Sequence, residues 1–151
     1  MVDVQLTTVP SETVAVVHRR VAVDRLPTFF AEAFTKVAEA LVDAGGTISG
    51  PPFGWYQGMP GAEVEVSAGF PVAGDVHTPD GGVVVTERPG GRAFVAVHTG
   101  PYDGLARTYA EVEGYVDEYE LAQREDCWEE YLTEPTGDPS TWRTRVVVPL
   151  R

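Results

Sequence analysis

The segment Asp126–Pro135, DCWEEYLTEP, sets two adjacent carboxylates, Glu129 and Glu130, between Trp128 and Tyr131. A carboxylate among aromatic rings suits two kinds of chemistry. It can hold an organic cation, which the ring faces also attract. It can also act as a general base toward water, with phenolic hydroxyls as hydrogen-bond donors. If the segment is a strand, side chains alternate between faces, so Glu129 shares a side with Tyr131, and Trp128 shares the other with Glu130. A bulge would exchange the two sets, and alternation alone leaves either acid as the inward one. An inward carboxylate is costly unless paired or hydrogen-bonded. Burial raises its pKa, and neighbouring hydroxyls restrain the rise.

The elements that must position these residues occur twice. LTTVPSETVAVVH (Leu6–His18) resembles VTERPGGRAFVAVH (Val85–His98), with Pro10 matching Pro89 and His18 matching His98. Apolar residues at Leu26, Phe30, Phe34, Val37 and Leu41, and again at Leu105, Tyr109, Val112, Val116 and Tyr119, predict one helix per half. Asp24 and Asp103 are candidate N-caps, and AGG at Ala44–Gly46 is a helix stop. Two short strands follow each helix: Phe53–Gln57 and Ala62–Val72 in the first half, Cys127–Thr133 and Thr144–Leu150 in the second. The expected fold is α+β: two strand–strand–helix–strand–strand halves, residues 1–72 and 83–151, joined by a connection over 73–82. Hairpins are expected at the Pro10 and RPGG breaks. Halves related by a pseudo-twofold axis make a central cleft the natural ligand site. Trp55 and Tyr56, in FGWYQ after Phe53, mirror Trp128–Tyr131, so one of them is expected to face that cleft. No glutamate lies in that stretch, so one central acid is expected rather than two.

Composition narrows the partners. With 23 acidic against 11 basic residues the formal charge is −12, which disfavours phosphate backbones and admits cationic or neutral partners. Cys127 is the single cysteine, excluding an intrachain disulfide or a cysteine metal cluster. There is no secretory leader pattern and no apolar run of the ~20 residues that spans a bilayer, so a cytoplasmic protein without membrane association is expected. His18 and His98 lack the companions of a metal site and read as structural residues; no metal or cofactor is expected. TGPYDG (Thr99–Gly104) lacks phosphate-loop spacing and reads as the turn into the second helix, with Tyr102 near the pocket mouth. Tyr109, Tyr115 and Tyr119 read as packing or surface residues. Trp142, ahead of the last strand, is a candidate for closing one end of the cleft.

VAVHTGPYDGLARTYAEV (Val95–Val112), WEEYLTEP (Trp128–Pro135) and TRVVVPL (Thr144–Leu150) together resemble the GyrI-like small-molecule-binding domain, found as the effector-binding part of multidrug-responsive regulators. The resemblance spans the chain. It implies that the glutamate of an E-x-Y pair lies at the bottom of an aromatic pocket, which places Glu129 and Tyr131 inward. Together with the aromatic residues singled out above, the expected ligand-binding set is Glu129, Tyr131, Phe53, Trp55, Tyr56, Tyr102 and Trp142. The leading function is binding of lipophilic, often cationic compounds for sequestration or sensing. A second is hydrolysis of strained cyclopropane rings in DNA-alkylating compounds, with Glu129 and Tyr131 catalytic. A third is an acidic interaction protein acting on a protein target such as DNA gyrase. The matched segment leaves no DNA-reading module, so no direct nucleic-acid contact is expected.

Overall fold

The computed structural model of the chain describes residues 3–58, 61–74, 76 and 82–151; most of the connection expected over 73–82 lies outside them. Nine strands and two helices follow the order β1 (Val4–Val9), β2 (Glu12–Ala22), α1 (Leu26–Ala44), β3 (Thr47–Ile48), β4 (Phe53–Gln57), β5 (Glu63–Ala73), β6 (Val84–Arg88), β7 (Gly91–Thr99), α2 (Leu105–Glu118), β8 (Asp126–Tyr131) and β9 (Arg143–Pro149). This is the expected duplicated plan, with a two-residue strand β3 added.

The chain forms two compact units: Ser11–Pro89, and the residues up to Pro10 together with Gly90–Arg151. Within the first, β6 pairs with β2, β2 with β5, and β5 with β4, all antiparallel. Within the second, β1 pairs with β7, β7 with β9, and β9 with β8, again antiparallel. Each sheet therefore takes its outer strand from the other repeat of the sequence. The expected hairpins are not formed, because β1 pairs with β7 and β6 with β2. Pro10 and Pro89 lie at these breaks; a proline fixes φ and has no N–H to give a ladder, so it ends a strand as readily as it starts a tight turn.

The helices end and begin for local reasons. Gly45, at φ 75°, closes α1 with its N–H on the Leu41 carbonyl, where the AGG stop was expected. Asp24 and Asp103 do not cap. Each lies inside a 3-10 turn, and the N–H groups of Leu26 and Leu105 bond to Val23 and Tyr102 carbonyls instead, which removes the need for a side-chain acceptor.

The central strands are buried on both faces, and each helix covers one of those faces. In the first unit α1 lays Phe29, Ala33, Val37 and Leu41 on Ala15, Val17, Val66 and Ala68. In the second, α2 lays Val112 and Val116 on Phe94, Ala96, Val146 and Val148. Burying each of the Val, Leu and Phe side chains among them contributes ~1.5–3 kcal/mol. The buried stripe of α1 is displaced by one residue from the expected one at its N-terminal end. Phe30 and Phe34 remain partly exposed while Phe29 and Ala33 are buried.

A buried glutamate in an aromatic setting

The β8–β9 and β7–β9 registers place Tyr131 opposite Thr144, which is opposite His98, and Glu129 opposite Val146, which is opposite Ala96. Val146 and Ala96 belong to the core under α2. Glu129 and Tyr131 therefore look toward α2, with no bulge to reverse them. Glu129 is only 7% exposed. Tyr109 of α2 donates its hydroxyl to Oε2 at 2.7 Å, and Tyr131 donates to Oε1 at 3.0 Å. Among the described residues no Lys, Arg or His forms an ion pair with it. Burial raises its pKa; the Tyr109 and Tyr131 hydrogen bonds and electrostatic attraction from His98 oppose the rise.

Glu130 faces the other way. It accepts from the Trp128 indole N–H at 2.9 Å and from Arg145 at 2.9 Å on both oxygens. Two consecutive acids thus have opposite surroundings: one has a cation, the other only hydroxyls.

The aromatic side of the site runs outward from Tyr131. Its ring lies 5.8 Å from that of Tyr102, which lies 5.1 Å from that of Trp142. Burial and the Glu129 charge raise the pKa of Tyr102, keeping its hydroxyl protonated. Cys127 lies on the Glu129 side of β8, and its thiol is pushed up to about 12 by burial and then by the Glu129 charge, against a hydrogen bond with Tyr109. The structure thus brings together Glu129, Tyr131, Tyr102 and Trp142. It adds Tyr109, which reads in sequence as packing. The available signal was a tyrosine on the stripe of α2 where an aliphatic residue would pack as well.

The first-half candidates lie in the other unit. Phe53 and Trp55 are buried and, by alternation, point away from α1, with the Arg88 guanidinium 4.4 Å from the centre of the Phe53 ring. Tyr56 points toward α1 and meets Phe30 edge-on at 6.4 Å; Phe30 stacks on Phe34 at 5.7 Å, and Phe34 lies 5.7 Å from Phe70. Aligning FGWY with WEEY puts Tyr56 in the place of Tyr131 and Gly54 in the place of Glu129, both on the helix side. The first repeat thus has rings where the second has an acid. The two histidines differ in face: His98 looks toward α2, whereas His18 alternates away from α1 and meets Ser67 at 2.8 Å.

A groove of about 1010 Å³ opens on the second unit beside β1, β7 and the start of α2, with Asp3, His98, Thr99, Arg107, Thr108 and Arg143 along it. Glu129 does not line it. Among the described residues no three His, Cys, Asp or Glu side chains cluster to hold a metal, and no helix is long and apolar enough to cross a membrane.

The chain belongs to the GyrI-like small molecule binding domain family, whose match covers residues 3–151. The fold is similar to that of the EcmrR C-terminal domain, at 18% identity and a TM-score of 0.87, covering 100% of this chain and 98% of that one. It is also similar to SAV2435 bound to tetraphenylphosphonium, at 13% identity and TM-score 0.71, covering 99% and 94%. A hydrolase from Listeria innocua shares the fold at 16% identity and TM-score 0.71, covering 99% and 92%. No curated protein sequence matches the chain.

Proposed function

We propose that this small-molecule-binding domain takes lipophilic organic cations, with Glu129 as the counter-charge and Tyr131, Tyr102 and Trp142 as the aromatic contacts. One observation carries the reading. Glu129 is a buried carboxylate held by two tyrosine hydroxyls and, among the described residues, by no cationic side chain. A buried charge without a partner is costly, and a ligand cation supplies that partner while its apolar groups stack on the rings. SAV2435, with the same fold, binds a cation of this kind, tetraphenylphosphonium. Within the first unit Tyr56, Phe30 and Phe34 form a ring cluster of their own without a charge, and Phe53 and Trp55 are buried on the opposite face of β4.

Hydrolysis is a second reading, favoured by the raised pKa of Glu129 beside protonated phenols and by a hydrolase with this fold. In that chemistry Glu129 takes a proton from water, and the water oxygen bonds to a cyclopropane carbon. The ring-bond electrons pass into the conjugated carbonyl, to which the Tyr102 hydroxyl donates a hydrogen bond, while Tyr131 keeps its own on Glu129.

The test is calorimetric titration with tetraphenylphosphonium and with neutral triphenylphosphine oxide. Glu129→Gln is expected to weaken the cation about tenfold or more, equivalent to ~1.4 kcal/mol, and to leave the neutral compound unchanged. Equal affinity for the cation in both proteins defeats the reading. Mass spectrometry of a cyclopropane-bearing alkylator after incubation separates binder from hydrolase, since only the hydrolase adds water.

A further inference from the structure

The turn Thr99–Gly104 carries Tyr102 and is tied down on several sides. Gly100, at φ 124°, donates its N–H to the Trp142 carbonyl at 2.8 Å. The ring of His98, which is 8% exposed, lies between the turn and α2. Its Nε2 meets the Pro101 carbonyl at 2.9 Å, and its Nδ1 meets Thr108 Oγ1 at 2.9 Å. A carbonyl only accepts, so Nε2 carries the proton, and in the neutral ring Nδ1 accepts from the Thr108 hydroxyl. Gly104 lies flat on the same ring: a Cβ there would come 2.8 Å from His98 Cε1. A rigid ring with polar atoms on two edges thus spans from the backbone just before Tyr102 to the second turn of α2.

We propose that His98 is a positioning residue for the ligand site: it fixes the turn so that the Tyr102 ring stands between Tyr131 and Trp142, beside Glu129. The first repeat supplies a comparison. His18 is exposed, its ring meets Ser67 on the face away from α1, and the strand continues through Arg19 and Arg20 to Ala22. Among the described residues the clamp is made in the repeat that carries Glu129, while in the repeat that carries Gly54 the matching histidine engages Ser67 on the other face of the sheet. A histidine kept only for core packing would not need one nitrogen on the segment that carries a site aromatic and the other on the helix that follows it.

The inference rests on the reading of Tyr102 as a ligand contact, and the test separates the two. The indole N–H resonance of Trp142 reports the place of the Tyr102 ring without any ligand. It is expected to shift in His98→Ala and in Thr108→Val, the second keeping side-chain shape should the first fold poorly. An unmoved resonance in both variants overturns the proposal. With tetraphenylphosphonium as probe, His98→Ala and Tyr102→Ala are each expected to weaken binding several-fold, and the double variant no further than Tyr102→Ala alone. Losses that multiply in the double variant, or a lowered Tm with unchanged affinity in His98→Ala while Tyr102→Ala weakens binding, also overturn it. A shifted resonance with full affinity in Tyr102→Ala supports the clamp and removes Tyr102 from the ligand contacts.

Discussion

Glu129 and Glu130 are neighbours in the chain, yet the first is held by the hydroxyls of Tyr109 and Tyr131 and the second by the guanidinium of Arg145. Their amide variants should therefore separate. Glu129→Gln removes a buried charge that forms no ion pair among the described residues, and is expected to keep or raise Tm at neutral pH while weakening cation binding. Glu130→Gln leaves Arg145 without its carboxylate, a loss of about 1–3 kcal/mol, or ~2–4 °C per kcal/mol in Tm for a chain of this size, with ligand affinity unchanged. Thermal melts and titrations of the two variants check both halves.

The pH dependence follows from the direction of the Glu129 shift. Folding raises its pKa, mainly through burial, so the folded chain keeps this proton to higher pH than the unfolded chain. The stability it contributes is full below the ordinary carboxylate range and is lost as pH rises through the raised value. Cation affinity runs the opposite way, since the ligand prefers the ionised form. It should fall about tenfold for each pH unit below the raised value, while a neutral ligand shows no such slope. Titrations across the acidic range are the measurement, and a flat cation profile contradicts the assignment.

Cys127 offers a chemical reporter. With its thiol pushed from 9.0 up to about 12, its thiolate fraction near neutral pH is roughly a thousandfold below that of an unperturbed thiol. Labelling by a thiol-specific disulfide reagent should be correspondingly slow in the folded protein. Glu129→Gln, which removes one of the charges that raise the thiol, should speed it. A rate equal to that of free cysteine would show that the thiol is not held where the structure places it.

Gly69 marks a tight point in the first unit. It lies opposite Val16 on β5, and a Cβ there would collide with the Ala15 carbonyl. Gly69→Ala is expected to cost about 1–3 kcal/mol or more by overpacking, read as a lowered midpoint in urea. Gly114→Ala, where a Cβ meets nothing within 4 Å on the exposed side of α2, should instead stabilise by ~1 kcal/mol.

Much of this was legible in the sequence. The duplicated plan follows from periodicities of two and 3.6, and the helix stop follows from the Gly45 position. The E-x-Y spacing put Glu129 and Tyr131 on one side of a strand, and that side is the one facing α2. Strand pairing was not legible: local breaks at Pro10 and Pro89 look the same whether the next strand folds back or leaves for another sheet. The matching of His18 with His98 is one residue out of step with the faces of the two sheets, because similarity along a strand does not encode which side is buried. Phe30 and Phe34 fit a core stripe by spacing, yet the helix is rotated so that Phe29 and Ala33 are buried. Tyr109 was missed for the same reason: a stripe tells which residues turn inward, not whether a carboxylate waits there.

The exchange of outer strands has a consequence for the chain as a genetic object. Cutting it between the repeats, after Gly82 for example, gives two fragments that each lack the strand that borders their own sheet. Each would expose an unpaired edge on β2 or β7 and carry the missing border for its counterpart. The fragments should therefore be poor folders apart and good partners when mixed, the behaviour required of a split reporter. By the same token, an ancestor with a single repeat would have had to pair with a second copy of itself before the gene doubled.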